Sequence, residues 1–203
     1  MGTLTVVNYL TLDGVMQAPG RCDEDERDGF AHGGWAQPYI DPVMGRVMGE
    51  GMTGRNVSLL FGRRTYQDFA GFWPKQPDNP FTPVLEARRK YVASRTFTEP
   101  LPWSNSVLLD GDAAKSVAEL KAESADDLVV LGSGELRHTL TRHDLVDQYV
   151  LSIHPLVLGG GRRLFTDGVF TDDGAFARLR LVDSVPTTTG VLIATYRRIG
   201  ADT

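Results

Sequence analysis

Short apolar runs alternate with segments of helical periodicity along the first two-thirds of the chain. Five such runs, rich in Val, Leu and aromatic residues, predict buried strands at 4–10, 57–61, 90–93, 106–109 and 128–131. Between these runs, apolar residues recur every three or four positions, which is typical of one buried helix face. Strands that alternate with helices predict an α/β fold with a mostly parallel sheet.

Helix boundaries are marked by capping residues and glycines. Asp41–Pro42 places an N-cap before a proline at the first helical position, and Gly49, Gly51 and Gly54 predict the end of that helix. Further helices are predicted at 64–72, near 84–89, after Asp112 and at 135–141. The segment 73–83 reads as a proline-rich loop.

The polarity period changes to two near Val146. One long strand is predicted at 147–158, interrupted at Pro155, with His154 as a packed strand residue. The segments 177–185 and 191–199 flank a Pro- and Gly-containing turn and predict a C-terminal antiparallel hairpin. With no internal repeat and no linker, the pattern predicts a single domain over residues 1–203.

Composition narrows the function classes. The net charge of −5 and a pI near 5.3, without a basic cluster, disfavour binding to nucleic acid or anionic membranes. No apolar run approaches the length of a membrane span. The single cysteine, Cys22, excludes a disulfide framework and a cysteine-based zinc site, and the four histidines lack metal-ligand spacing. These features predict a soluble cytoplasmic protein without a metal centre.

Three predicted strands end in turns of small or basic residues. They are the 62–65 turn (Gly62, Arg63, Arg64, Thr65), the 94–95 turn (Ser94, Arg95) and the 132–135 turn (Gly132, Ser133, Gly134, Glu135). A helix N-terminus offers unpaired N–H groups and a positive dipole end, and arginine adds charge suited to a phosphate, including a ribose 2′-phosphate. Together the turns predict a phosphorylated nucleotide cofactor, although each alone is equally consistent with a close-packed or surface turn.

Other candidates lie outside these turns. Asp13 ends the first strand, where it would orient a substrate N–H or supply a proton, or else form an ordinary Asp-Gly turn. His32 and Trp35 lie in the long segment 15–37, which we expect to be an ordered loop, and are candidate walls of a substrate pocket. Gly159 and Gly160 begin a run of three glycines that permits close approach of a ligand or, alternatively, a bulge.

The sequence resembles the dihydrofolate-reductase-like superfamily. Within it, the likeness is to stand-alone proteins similar to the C-terminal reductase domain of the bacterial riboflavin-biosynthesis deaminase-reductase. The segments that carry the resemblance occur in order between residues 3 and 199. They are Thr11–Leu12–Asp13–Gly14, Phe61–Gly62–Arg63–Arg64–Thr65–Tyr66, Ala93–Ser94–Arg95, Leu131–Gly132–Ser133–Gly134 and His154–Pro155–Leu156–Val157–Leu158–Gly159–Gly160–Gly161.

The resemblance implies a three-layer fold and NADPH as hydride donor. It assigns cofactor phosphate to the 62–65 turn, the 2′-phosphate and adenosine to the 94–95 turn, and the pyrophosphate and nicotinamide region to the 132–135 turn. It places Asp13 on the substrate side. Relatives of the riboflavin reductase often pair, so a homodimer is an expectation.

The expected activity is reduction of a C=N or C=O bond in a small, pterin- or pyrimidine-like substrate. Dihydrofolate reductases carry an acid on the first long helix, whereas helix 42–50 has only Glu50, near its end. The zinc-binding H-x-E and P-C-x-x-C motifs of a deaminase are absent. Two alternatives stay open: a non-catalytic NADP(H)-binding or sensory protein that retains the fold, and a structural or assembly protein.

Overall fold

The computed structural model describes residues 2–53, 56–166 and 177–199. Its strands are β1 (Leu4–Thr11), β2 (Val57–Gly62), β3 (Lys90–Ala93), β4 (Ser106–Leu109), β5 (Asp127–Leu131), β6 (Gln148–His154), β7 (Leu179–Pro186) and β8 (Leu192–Arg198). They form an eight-stranded sheet in the order β4-β3-β2-β5-β1-β6-β8-β7. The sheet is mostly parallel and ends in a C-terminal antiparallel hairpin, which confirms the predicted α/β fold class.

Five α-helices connect the strands. They are α1 (Pro42–Thr53), α2 (Arg63–Phe72), α3 (Phe81–Ala87), α4 (Ala113–Glu123) and α5 (Gly134–Arg142). Short 3₁₀ turns occur at Arg27–Gly29, Gln37–Tyr39 and Trp73–Lys75. The 15–37 segment is therefore an ordered loop, as expected from its aromatic residues.

The chain groups into two compact units. The first unit comprises Met1–Val6 and Gly49–Asp147, and the second comprises Val7–Met48 and Gln148–Thr203. The single domain over 1–203 stays a prediction, and each unit is described separately below.

In the first unit, β4, β3, β2 and β5 are parallel neighbours. Strand β2 is buried on both faces, which explains its uninterrupted apolar sequence. Phe61, Tyr66 and Trp103 pack as an aromatic cluster with ring centroids 6.2 to 6.3 Å apart. This packing fixes the start of α2 against the end of β2.

In the second unit, β8 pairs antiparallel with both β6 and β7. Its core contains Met44 of α1 packed with Val191 and Ile193. The carboxylate of Asp41 accepts the backbone N–H of Met44 at 2.8 Å, which confirms the predicted N-cap of α1.

Three predicted boundaries differ from the structure. Helix α1 continues through Gly49 and Gly51, because no neighbouring group there requires a turn, and Gly54 lies outside the described residues. Helix α3 starts earlier than predicted and contains Pro83, which is tolerated because first-turn N–H groups have no intrahelical acceptor. Strand β6 ends at His154, since Pro155 cannot donate to the ladder.

Candidate functional site

The three predicted phosphate-type turns lie side by side in the first unit. Gly62 is level with Ala93 in the β2–β3 register, and Leu60 is level with Val130 in the β2–β5 register. The strands are parallel, so the three turns that follow them emerge at one edge of the sheet. The structure thus brings together groups that are about 30 to 70 residues apart in sequence, which is the placement that the sequence argument requires.

Helices α2 and α5 begin at this edge, and no side chain of the described residues caps either N-terminus. Elsewhere in the chain, α1 and α4 are capped by carboxylates, with Asp112 accepting the N–H of Lys115 at 2.9 Å. The first-turn N–H groups of α2 and α5 are consequently available to an external acceptor. An anion is the acceptor that a helix N-terminus favours.

Hydrogen bonds join the 62–65 turn to the 132–135 turn. The N–H of Gly62 donates to Ser133 Oγ at 3.0 Å, and the N–H of Ser133 donates to Thr65 Oγ1 at 3.1 Å. Ser133 Oγ in turn donates to the carbonyl of Leu131 at 3.2 Å. Two of the hydroxyls predicted to contact the cofactor are therefore engaged in holding the turns together.

Two residues of the 132–135 turn adopt left-handed backbone conformations. Gly132 has φ +61° and Ser133 has φ +57°. A side chain at Gly132 would also meet the Thr65 methyl at 3.5 Å, and one at Gly62 would meet Leu136 Cβ at 3.4 Å. The two glycines allow the turns to pack closely while leaving backbone N–H groups exposed.

The charged residues of the turns point to solvent. Arg63, Arg64 and Arg95 are exposed, as is Glu135 in the first turn of α5. Ser94 is buried, and its hydroxyl accepts the N–H groups of Thr96 and Phe97 at 3.2 and 3.1 Å. Ser94 thus shapes the turn that presents Arg95.

In the second unit, Asp13 is bonded to the glycine-rich segment after β6. Its carboxylate accepts the N–H of Gly159 at 2.9 Å and of Leu158 at 3.3 Å. Thr11 Oγ1 lies 2.5 Å from one carboxylate oxygen, and Arg163 lies 3.5 Å from the other. Each oxygen of Asp13 therefore has two partners, which fills the four acceptor positions of a carboxylate.

These donors stabilise the ionised form of Asp13. The Thr11 hydroxyl makes the largest contribution, followed among the donors by the N–H groups of Gly159 and Leu158, and the pKa of Asp13 falls to about 2. At neutral pH an ionised carboxylate has no proton to donate. The structure gives no support to the expectation that Asp13 supplies a proton, and its role toward a substrate stays a prediction.

His32 lines a pocket in the second unit, of about 410 Å³. The walls come from the 15–37 loop and the glycine-rich segment, and include Phe30, Gly160 and Arg162. The His32 ring meets the Phe30 ring edge-on at 5.7 Å. Gly159 and Gly160 are exposed, and a side chain at either would meet no neighbour, whereas Gly161 packs against Phe30.

Trp35 is placed differently from its prediction. It is 8% exposed, its indole N–H donates to the carbonyl of Gln17 at 2.7 Å, and it does not line the pocket. Its ring packs edge-on against His154 at 5.0 Å. Trp35 is therefore a core residue in this structure, because its polar atom and its faces are used internally.

His154 is also a core residue, as predicted. It is fully buried, and Nδ1 lies 3.0 Å from the carbonyl of Ser152 and 3.2 Å from that of Leu10. Because carbonyls only accept, Nδ1 carries the proton. Burial lowers the pKa of His154, so the ring is neutral near pH 7.

Sequence reasoning missed the residues that hold Asp13. Arg163 appears in the sequence only as half of an arginine pair, yet its Nε donates to the Asp13 carbonyl at 2.9 Å. Thr11 gives a local signal, since a hydroxyl two residues before an aspartate can bond it. No such signal links Asp13 to Gly159, which is 146 residues away.

Two further searches concern the described residues only. None of their helices is long and apolar enough to cross a membrane. No group of three or more His, Cys, Asp or Glu side chains within 2–53, 56–166 and 177–199 is arranged to hold a metal ion.

Comparisons with known proteins agree with this geometry. The family model described as the RibD C-terminal domain matches residues 3–193. A curated relative, the uncharacterized protein YyaP of Bacillus subtilis (strain 168), is 30% identical over 149 residues, which are 69% of this chain and 76% of YyaP.

Solved structures show the same fold. A putative riboflavin biosynthesis protein from Shewanella sp. PV-4 has a TM-score of 0.67 at 20% identity, covering 98% of this chain and 99% of that one. A pyrimidine reductase-like protein from Corynebacterium diphtheriae has a TM-score of 0.61 at 11% identity, covering 98% and 92%.

Proposed function

The chain belongs to the RibD C-terminal domain family, and from this premise we propose that it is an NADPH-dependent reductase. Family membership supports a reductase-like function. The cofactor and substrate are our proposal: hydride transfer from NADPH to a C=N or C=O bond of a small pterin- or pyrimidine-like molecule.

The observation that carries the proposal is the pair of uncapped helix N-termini at one sheet edge. Phosphate oxygens satisfy such N–H groups, and the glycines at positions 62 and 132 leave room for close approach of a pyrophosphate. The residues present fit a dinucleotide, because small residues provide the space and arginines provide the charge. When bound, NADPH supplies the hydride, while the protein binds, orients and excludes water.

Preference for NADPH over NADH is expected to come from Arg95. The buried Ser94 hydroxyl fixes the turn, so the exposed guanidinium beside it is held near the end of β3. A guanidinium matches the geometry and charge of a 2′-phosphate, and Arg63 or Arg64 would add to the attraction.

The second unit is proposed to bind the substrate. The pocket lined by His32 and Gly160 combines an aromatic surface with backbone groups, which suits a planar polar molecule. Asp13 would act there by holding Gly159 in place. The contact of Gly159 and Gly160 with the cofactor, a small-molecule substrate and a homodimer stay predictions.

Calorimetric titration with NADPH and NADH tests the cofactor. The wild type is expected to bind NADPH more tightly than NADH, and Arg95→Ala to lose at least ten-fold in NADPH affinity while affinity for NADH changes little. Arg180→Ala, which removes an exposed arginine of β7, is the matched control and should bind like the wild type. Absence of NADPH binding at near-millimolar concentration would overturn the proposal.

Turnover distinguishes the reductase from a non-catalytic NADP(H)-binding or sensory protein. The full occupation of Asp13 by internal donors is the observation that favours this alternative, because it removes the acid at the end of β1. Oxidation of NADPH in the presence of one member of a pterin, pyrimidine and imine panel is expected. Binding without turnover across the whole panel would favour the alternative.

A further inference from the structure

Ser133 connects the two turns that are proposed to hold the cofactor phosphates. Its hydroxyl accepts the N–H of Gly62 at 3.0 Å and donates its hydrogen to the carbonyl of Leu131 at 3.2 Å. The side chain is buried, with 7% exposure. A hydroxyl has a single hydrogen, so Ser133 in this arrangement has none left to donate to a phosphate.

We propose that Ser133 is a positioning residue for the cofactor rather than a ligand of it. Its hydroxyl holds the backbone of the 62–65 turn against the 132–135 turn, so that the first-turn N–H groups of α2 and α5 are oriented before the nucleotide arrives. This inference rests on the proposed function for the identity of the ligand, but the hydrogen bonds themselves exist without it.

Thr65 completes the connection from the other side. Its Oγ1 accepts the N–H of Ser133 at 3.1 Å, so each turn donates one backbone N–H to a hydroxyl of the other. Unlike Ser133, Thr65 keeps its hydroxyl hydrogen available for a phosphate oxygen. The two residues are therefore expected to differ: Ser133 acts through position alone, and Thr65 through position and contact.

The energetic reason is pre-organisation. Without the reciprocal bonds, the two helix N-termini would have to be ordered relative to each other when the nucleotide binds, and that ordering lowers affinity. The left-handed backbone at Ser133, with φ +57°, is uncommon for a residue with a side chain and is maintained by these bonds.

The central test measures NADPH and NADH affinity of Ser133→Ala. Both affinities are expected to fall by the same factor, about ten-fold, because the turns hold the diphosphate that the two cofactors share. Ser133→Gly is the second variant, since glycine accepts the left-handed backbone and removes the hydroxyl without strain. Ser58→Ala is the control: it removes a buried hydroxyl bond of 3.0 Å to Asp126 at the other end of β2 and should leave affinity unchanged.

A second readout needs no cofactor. Amide hydrogen exchange followed by NMR should show the N–H groups of Gly62 and Ser133 protected in the free wild-type protein. Ser133→Gly should lose protection at Gly62, whereas Ser58→Ala should keep it. A Gly62 amide that exchanges equally fast in the wild type and in Ser133→Gly would overturn the inference.

The double variant Thr65→Val with Ser133→Ala tests the coupling. Its loss of affinity is expected to equal that of Thr65→Val alone, because breaking either side already separates the turns. Thr65→Ser keeps the acceptor and should bind like the wild type. Fully additive losses, or wild-type affinity in both Ser133 variants, would contradict positioning; failure of the wild type to bind either nucleotide would instead contradict the proposed function.

Discussion

Replacing Asp13 with asparagine tests how the glycine-rich segment is held. The pKa of Asp13 is lowered from 3.8 to about 2 by the Thr11 hydroxyl and the N–H groups of Leu158 and Gly159. The side chain is only 19% exposed, so solvent screens these contacts weakly. A pKa difference of this size corresponds to about 2 kcal/mol of stability at neutral pH. We therefore expect Asp13→Asn to be destabilised by about 2 kcal/mol at pH 7.

The pH dependence has a definite sign. Because the folded pKa lies below the unfolded one, the contribution of Asp13 is complete above about pH 5 and is lost as the pH falls toward 2. About half of it remains at pH 3. The difference in unfolding free energy between the wild type and Asp13→Asn should therefore shrink to about 1 kcal/mol at pH 3.

Urea unfolding monitored by tryptophan fluorescence at pH 7 and pH 3 measures both numbers. Asp23→Asn is the matched control, since it removes the same charge from a side chain that is 74% exposed and paired with Arg21 at 3.3 Å. Its cost should stay below about 0.5 kcal/mol at either pH. If Asp13→Asn were no less stable than the control at pH 7, or if its deficit did not change with pH, the anchoring role would be refuted.

Two further predictions concern packing and are tested by the same unfolding assay. Lys90 is fully buried and its ammonium donates to three backbone carbonyls, so Lys90→Met should lose about 2–4 kcal/mol, against less than about 0.5 kcal/mol for Lys115→Met, whose side chain is 77% exposed; equal losses would contradict this account. The three carbonyls belong to Glu86, Arg88 and Ser104. At Gly161, with φ +118°, an added Cβ would lie 2.7 Å from a Phe30 ring carbon, so Gly161→Ala should lose about 2 kcal/mol or more, whereas Gly160→Ala meets open space and should lose less than about 0.5 kcal/mol; a tolerated Gly161→Ala would show that the ring moves aside.

The sheet was predictable because its strands are buried. A strand covered on both faces, such as β2, is almost continuously apolar, and Gly62 follows it directly. The start of α3 was not predictable in the same way, because Pro83 usually marks a loop and is compatible with a helix only in its first turn. Local sequence therefore locates the elements but not always their ends.

The candidate site was predictable in its backbone and less so in its side chains. The small and basic residues of the three turns identify the strand ends that meet at one edge. The bonds of Ser133 to Gly62 and of Asp13 to Gly159 join residues 71 and 146 positions apart, and no local pattern encodes them. Trp35 shows the same limit, since an aromatic residue in a long loop fits a pocket wall as well as a core.

Hydroxyl groups at this site act mainly on the protein itself. Ser94 and Ser133 use their hydroxyls to fix backbone turns, and Thr65 uses one lone pair in the same way. In the proposed reductase, the attraction for phosphate would then come from N–H groups of α2 and α5 and from exposed guanidiniums. The two sources divide the work: the turns would set affinity for any dinucleotide, and Arg95 would set the preference for NADPH. A Ser133 variant should therefore weaken both cofactors equally, whereas an Arg95 variant should weaken only one.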